Sequence, residues 1–184
     1  LYIKNMVCNR CITAVERVFK DLNLEITAVA LGEVETAEDL NSTELRKLDE
    51  SLRESGFEIL EDYAQQLIEK VKNEIILLVD GLDIPEDFIL SKWISEKLNR
   101  DYSAVSKLFS QNENVTLEQY FILQKIEKVK ELLLYDEFSL TEISGKLGYK
   151  SVQHLSSQFK NVTGFTPSGF KKLKVKNRIP LDEI

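Results

Sequence analysis

The sequence predicts an α+β domain followed by an all-α domain, on three observations. The first third of the chain alternates short strand-like runs with two amphipathic helical stripes. From Ile94 onward a helical pattern occurs twice, offset by 49 and then 50 residues. Charge divides along the same line: residues 1–64 carry 7 Lys/Arg against 14 Asp/Glu, whereas residues 65–184 carry 17 of each.

Composition narrows the function classes. With 184 residues, 43% hydrophobic and 30% charged, the chain is long and apolar enough for two small cores. It has no apolar run near the ~18 residues of a membrane span, so no membrane partner is expected. The opening "LYIKNMVC" lacks the basic stretch and apolar core of a secretion signal. Its two cysteines stand as C-x-x-C rather than as a disulfide framework, which fits a reducing, cytoplasmic setting. The net charge of −7 conceals a basic end, because residues 143–178 hold 8 Lys/Arg and no acid. A locally basic surface attracts phosphate whatever the whole-chain charge. The plainer account is a solvated tail, since Lys171, Lys172, Lys174, Lys176 and Arg178 cluster there.

Residues 1–62 read as mixed elements. "LYIKNM" alternates as a short strand, and Ile12, Val15, Phe19 and Leu22 follow helical spacing. "LEITAVAL" and "GEVET" are strand-like. Ser42 followed by Leu45, Leu48 and Leu52 marks a second helix closed by Gly56, and "FEIL" returns as a strand. The order β-α-β-β-α-β is the ferredoxin-like pattern. Residues 63–84 then read as a helical junction, with a stripe of Leu67, Val71, Ile75 and Leu78 ended by Gly81.

The repeat organises residues 85–178. Ile94 matches Ile143 and Leu98 matches Leu147; after a one-residue shift Val105 matches Leu155, Phe109 Phe159, Thr116 Thr166 and Tyr120 Phe170. Gly148 falls on Asn99, and Gly164 on Asn114. Glycine is the default left-handed residue and asparagine its usual substitute, so φ > 0 is expected at both points of both copies. Ser139 with Glu142, and Thr116 with Gln119, have capping-box spacing. Pro167 after Thr166 marks a helix start, and Pro85 before Glu86 and Asp87 is read the same way. Each copy is therefore a helix-turn-helix, at about 90–112 and 139–162. The linker helix, about 116–136, carries Tyr120, Leu123, Ile126, Lys130 and Leu133 at helical spacing. Twenty residues make roughly 30 Å of helix, near the ~34 Å of one DNA turn. An ordinary helical bundle explains the apolar spacing equally well, but not the paired turns.

At this point the chain resembles AraC/XylS-type transcription regulators. Leu140 to Lys172 looks like their second helix-turn-helix, through Gly148-Tyr149, Ser151, Phe159-Lys160 and Gly164-Phe165-Thr166-Pro167-Ser168; Leu90 to Leu133 resembles the more divergent first. The resemblance implies a double-stranded DNA partner and two recognition helices. In the second, Leu155 and Phe159 turn inward, and Val152, Gln153, Ser156 and Ser157 point outward. Gln153 suits adenine, Val152 a thymine methyl, and the serines phosphate or water. Lys160, Lys171 and Lys172 suit the DNA backbone. In the first, Ser103, Ser106 and Lys107 are the outward positions with Arg100 nearby, and Lys107 suits guanine. His154, the only histidine, packs on its neighbours or touches phosphate, and it has no Cys or His partner for zinc.

The first segment resembles the heavy-metal-associated domains of copper chaperones and pumps, whose loop carries Met-x-Cys-x-x-Cys. Here it stands as Met6-Val7-Cys8-Asn9-Arg10-Cys11, with Asn5 where glycine is common. The resemblance implies Cys8 and Cys11 as ligands of a soft ion such as Cu(I), with Met6 packed under the loop. The helix dipole is expected to favour thiolate at Cys11. Zinc would want four ligands, and this region has two sulfurs and no histidine. The pair reads three ways: soft-ion site, redox-sensitive thiols, or spectators on a fold used for homodimer contact.

No Ser/His/acid set, phosphate-binding glycine loop or metal-hydrolase spacing is present, so an enzyme is not expected. The expectation is a DNA-binding transcription regulator, adjusted at the cysteine pair. The rival is a metal-trafficking or thiol redox protein whose helical half binds a protein partner. The basic segment at 143–178 favours the regulator.

Overall fold

The computed structural model describes residues 1–173 and 178–184. These form two compact units, Leu1–Asn73 and Glu74–Ile184. Lys174 and Lys176, two of the expected basic cluster, lie outside the described residues.

Unit one contains β1 (Ile3–Lys4), α1 (Asn9–Asp21), β2 (Ile26–Ala30), β3 (Glu33–Thr36), α2 (Ser42–Glu54) and β4 (Glu58–Ile59). β1 pairs with β4, Ile3 opposite Ile59, and β2 pairs with β3, both antiparallel. A bridge between Tyr2 and Glu33 joins the two pairs. Beside it, the Ile3 N–H donates to the Gly32 carbonyl (2.9 Å) and the Val34 N–H to the Leu1 carbonyl (2.9 Å). Ile3, Met6, Val15, Phe19, Val34, Leu48, Leu52 and Phe57 make the core. The helical stripes are amphipathic because burying one face of each helix is what stabilises so small a unit. Asn41, rather than Ser42, caps α2: its side chain accepts from the Thr43 and Glu44 amides, and Glu44 returns a bond to its N–H. The Asn41/Glu44 pair carries the box spacing, one residue earlier than the serine.

α3 (Tyr63–Asp80) contributes residues to both units. Unit two continues with α4 (Leu90–Leu98), α5 (Tyr102–Asn112), α6 (Leu117–Tyr135), α7 (Leu140–Lys146), α8 (Val152–Thr163) and α9 (Pro167–Lys171). α6 is buried on most of its circumference, from Leu117 and Tyr120 to Leu132 and Leu133. Lys130, which lies in its apolar stripe, is buried because Glu127 pairs with it one turn away. Glu127 also accepts the Ile179 N–H (3.1 Å). Thus the charges within the stripe are paired, as burial requires. Among the described residues no helix is long and apolar enough to cross a membrane.

Two local expectations fail. Pro85 does not start a helix: α4 begins at Leu90, and residues 86–87 form a turn. The reason is tertiary, since Ile84 is taken by a parallel bridge to Leu147, its N–H donating to the Lys146 carbonyl (3.0 Å). Asn114 is not left-handed, although Asn99 (φ 50°), Gly148 (φ 67°) and Gly164 (φ 80°) are. α5 ends one position short of its counterpart α8, and the extended Glu113 closes it through an N–H to the Phe109 carbonyl (2.8 Å). The chain then leaves by a bend and needs no reversal at Asn114.

Candidate nucleic-acid interface

The two helical pairs, α4–α5 and α7–α8, are built alike at the level of single atoms. Positions 101–110 and 151–160 follow the same order of exposed, half-buried and buried residues. Asp101 accepts the Ala104 N–H (3.0 Å) at the start of α5, and Ser151 accepts the His154 N–H (3.1 Å) at the start of α8. Phe109 meets Tyr120 with ring centroids 5.4 Å apart, and Phe159 meets Phe170 at 5.6 Å. Thr116 accepts from Gln119 and Thr166 from Gly169, each at 3.1 Å. Each second helix is thus fixed by a cap at its start, two inward residues along one face and an aromatic pair at its end. Ser151→Ala should lower stability by about 1 kcal/mol, read as an earlier thermal midpoint, because one α8 amide then loses its partner.

What remains outward is a short row on each helix. On α8 it comprises Gln153, His154, Ser157 and Lys160, while Val152 and Ser156 are half-buried. On α5 it comprises Ser103, Ala104, Lys107 and Ser110, while Ser106 is half-buried. The offset of 50 would have found Ala104 and Ser110, which outward-facing polarity alone does not single out. Ser110 donates to the Ser106 carbonyl (2.9 Å), so its hydroxyl is directed at its own helix. His154 meets the Tyr149 ring edge-on at 5.4 Å. The Tyr149 hydroxyl in turn donates to Gln158 (2.7 Å), and burial pushes the phenol up from its ordinary range.

The basic residues divide by use. Lys171 pairs with Asp136 and Arg178 with Glu131 (2.9 Å), so both cations are engaged within the chain. Lys146 lies over the Phe138 ring at 4.8 Å. Lys150, Lys160 and Lys172 are exposed and make no ion pair among the described residues. Lys160 belongs to the α8 row, and Lys150 and Lys172 flank it in sequence.

The turn between α7 and α8 is held from two sides. Ile84 and Pro85 lie over Gly148 so closely that an added Cβ would meet Ile84 Cγ2 and the Pro85 carbonyl oxygen, each at 2.8 Å. From α6, Lys125 Nζ donates to the Leu147 carbonyl (3.0 Å) and lies 3.8 Å from the Tyr149 ring centroid and 5.1 Å from that of Phe121. Lys125 is buried, and burial lowers its amine to about 8.

In unit one, Cys8 is the N-cap position of α1 and Cys11 lies in its first turn, with the sulfurs 3.6 Å apart. Burial is the largest influence on Cys11 and pushes its thiol up, against the expected dipole effect. Met6 is fully buried. Asn5 takes φ 70°, a left-handed backbone that glycine adopts without strain. Its N–H donates to Glu69 (2.8 Å) and its side-chain amide to the Gly56 carbonyl (2.9 Å). Among the described residues no group of three or more His, Cys, Asp or Glu forms a metal cluster.

Comparison with known proteins places this geometry. A helix-turn-helix domain family matches residues 94–173. The Msm operon regulatory protein of Streptococcus mutans is 32% identical over 79 residues, which is 43% of this chain and 28% of that protein. The xylose operon regulatory protein of Haemophilus influenzae is 31% identical over 78 residues, 42% of this chain and 20% of that one. The chain therefore spans under a third of the length of either relative. Among solved structures, the C-terminal domain of AraT, a response regulator from Geobacillus stearothermophilus, aligns over 64% of this chain and 91% of its own. The TM-score is 0.52 at 21% identity, which shows a shared fold.

Proposed function

We propose that residues 94–173, which match a helix-turn-helix domain family, form a DNA-binding domain of the AraC/XylS regulator type, and that the chain controls transcription by reading two neighbouring segments of duplex DNA with α5 and α8. The observation that carries this reading is the repeat of burial and capping at positions 101–110 and 151–160. Two helices presented alike are what two successive major-groove contacts require. α6, at 19 residues, supplies about 28 Å of helix between the pairs. Gln153 and Lys107 are the base-reading residues, with Ser103 and Ser157 beside them. Val152, Ser106 and Ser156, being half-buried, serve at the edge of each contact. Lys160 and Lys172 hold phosphate.

The test begins with duplexes selected from a randomised pool by the wild-type chain. Affinity for the selected duplex should fall steeply with salt, because each neutralised phosphate releases counterions. Gln153→Ala and Lys107→Ala should each cost about 1–3 kcal/mol and relax preference at one position. Lys160→Ala should weaken all duplexes alike and reduce the salt slope by about 1. A chain that selects no sequence, or binds with a flat salt response, sinks this reading.

A second reading concerns the input. The β-α-β-β-α-β order, with strands running β4-β1-β3-β2 through the Tyr2–Glu33 bridge, supports a ferredoxin-like first unit. Cys8 and Cys11, with sulfurs 3.6 Å apart, fit a soft ion held by two thiolates. Such an ion would take its charge balance from those sulfurs alone. Cu(I) titration should give one equivalent bound by wild type and none by Cys8→Ser/Cys11→Ser, read by a competing colorimetric chelator. Equal uptake by both proteins would remove the cysteines from that role.

A further inference from the structure

The reading above gives α8 its task but not what sets its position. α8 follows a turn of five residues, Leu147 to Ser151, in which Gly148 is left-handed. Much of α8's placement therefore depends on where Leu147, Gly148 and Tyr149 are held. Leu147 is the C-cap residue of α7, so its carbonyl belongs to the end of that helix where backbone acceptors lack helical partners. That carbonyl is the one Lys125 reaches, at 3.0 Å. A cation there also meets the negative end of the α7 dipole.

We infer that Lys125, on the linker helix, is the positioning residue of the second recognition helix: its ammonium ties α6 to the Leu147 carbonyl and the Tyr149 ring, and so sets the angle at which α8 meets DNA. Three independent observations converge on it. The amine is buried against the Leu147 carbonyl and the Tyr149 and Phe121 rings, an environment kept for a specific contact rather than for solubility. Its ring partner Tyr149 continues the connection into α8, through its hydroxyl on Gln158 and its edge against His154. Ile84 and Pro85 pack closely against Gly148 in the same turn, which limits the room it has to move.

The charged and titratable neighbours have other partners, and on α8 His154 meets the edge of the Tyr149 ring. On α6 itself Glu127 pairs with Lys130, and Lys128 with Asp80 and Glu131. On α7, Glu142 is held by Ser139 and Lys146 lies over Phe138. On α9, Lys171 pairs with Asp136. The Tyr149 phenol, pushed up by burial, stays neutral while the amine titrates. An ammonium makes a stronger hydrogen bond than a neutral amine and alone makes the cation–π contact. The hold of Lys125 on the turn before α8, as distinct from its effect on global stability, is therefore greatest below its value of about 8 and fades above it.

This inference rests on the DNA-binding reading, and the experiment separates the two. Wild type, Lys125→Met and Lys125→Arg are compared by fluorescence anisotropy on the duplex selected by wild type. A second duplex has the α8-read half scrambled, that half being the positions at which Gln153→Ala loses preference. Lys125→Met should bind the selected duplex about tenfold more weakly and the scrambled one within twofold of wild type, with Lys125→Arg recovering most of the loss. The wild-type advantage over Lys125→Met should shrink between pH 7 and pH 9. Should Lys125→Met fail to fold, the wild-type ratio of the two affinities over the same pH range serves instead, and it should fall as the amine is neutralised. Equal losses on both duplexes, a folded Lys125→Met within twofold of wild type, or a wild-type ratio flat from pH 7 to pH 9 would overturn the inference. Failure of wild type to prefer the selected duplex would instead overturn the DNA-binding reading.

Discussion

Gly148→Ala is expected to destabilise the second unit by about 2–5 kcal/mol, with a thermal midpoint lower by about 10 °C or more. Two costs add. A left-handed non-glycine residue costs roughly 1–2 kcal/mol, and Gly148 has φ 67°. The new Cβ would also lie 2.8 Å from Ile84 Cγ2 and from the Pro85 carbonyl oxygen, and overpacking of that kind costs about 1–3 kcal/mol. Gly148→Asn separates them. Asparagine takes the left-handed conformation at position 99 in the first copy, so if conformation were all, Gly148→Asn would be mild. The clash alone then costs it about 1–3 kcal/mol, less than alanine by the conformational share. Gly164→Ala is the control: φ is 80° but a Cβ there meets nothing within 4 Å, so only the roughly 1–2 kcal/mol conformational cost applies. Urea denaturation of the three variants measures all of this. A Gly148→Asn protein as stable as wild type would show that the Ile84–Pro85 strap gives way.

The second large effect is a pH dependence of stability from Lys125. Its amine lies at about 8 in the folded chain and near 10.4 when unfolded. Between those values the unfolded chain binds more protons, so folding stability rises with pH across that window. The stabilisation is fully present above the unfolded value, is lost as pH falls through about 8, and is flat below. At about 1.4 kcal/mol per unit, wild type should gain roughly 3 kcal/mol relative to Lys125→Met from pH 7 to pH 10.5. Other tyrosines and lysines titrate in both proteins and cancel in the difference. Denaturation midpoints at several pH values check it. A difference that does not change with pH would mean that the amine stays hydrated. The trend opposes the one expected in DNA affinity, where the wild-type advantage shrinks as pH rises. Global stability and local positioning are thus distinguishable effects of one side chain.

The repeat was legible because burying one face of a helix leaves a periodic record. Ile94 and Ile143, Val105 and Leu155, and Phe109 and Phe159 are all buried as their spacing implies. Caps were legible for the same reason, since the bond between an N-cap side chain and an amide two or three residues on is local. Ser139 and Thr116 cap as their spacing suggests. The exposed row of α8 was half legible: Gln153, Ser157 and Lys160 are outward, but Val152 and Ser156 are partly covered. Coverage depends on what neighbouring elements lay over a helix, and a single helix's periodicity does not contain that.

Asn114, Pro85, Lys171 and Lys125 mark where local reasoning stops. Asn114 has the residue type of a left-handed turn, yet α5 ends at Asn112 and no reversal is needed. Pro85 followed by two acids has the form of a helix start, but Ile84 is held by the distant Leu147. Lys171 lies in a basic run and is neutralised by Asp136, 35 residues earlier. Lys125 has no mark in the sequence beyond its place in an amphipathic helix. By itself the sequence determined the element types, their caps and the doubled helical pattern, because hydrogen bonds over three or four residues and one-sided burial are short-range constraints. Only the tertiary structure decided which cations face solvent, why position 148 must be glycine when position 99 is asparagine, and what holds α8, because each depends on atoms brought together from far along the chain.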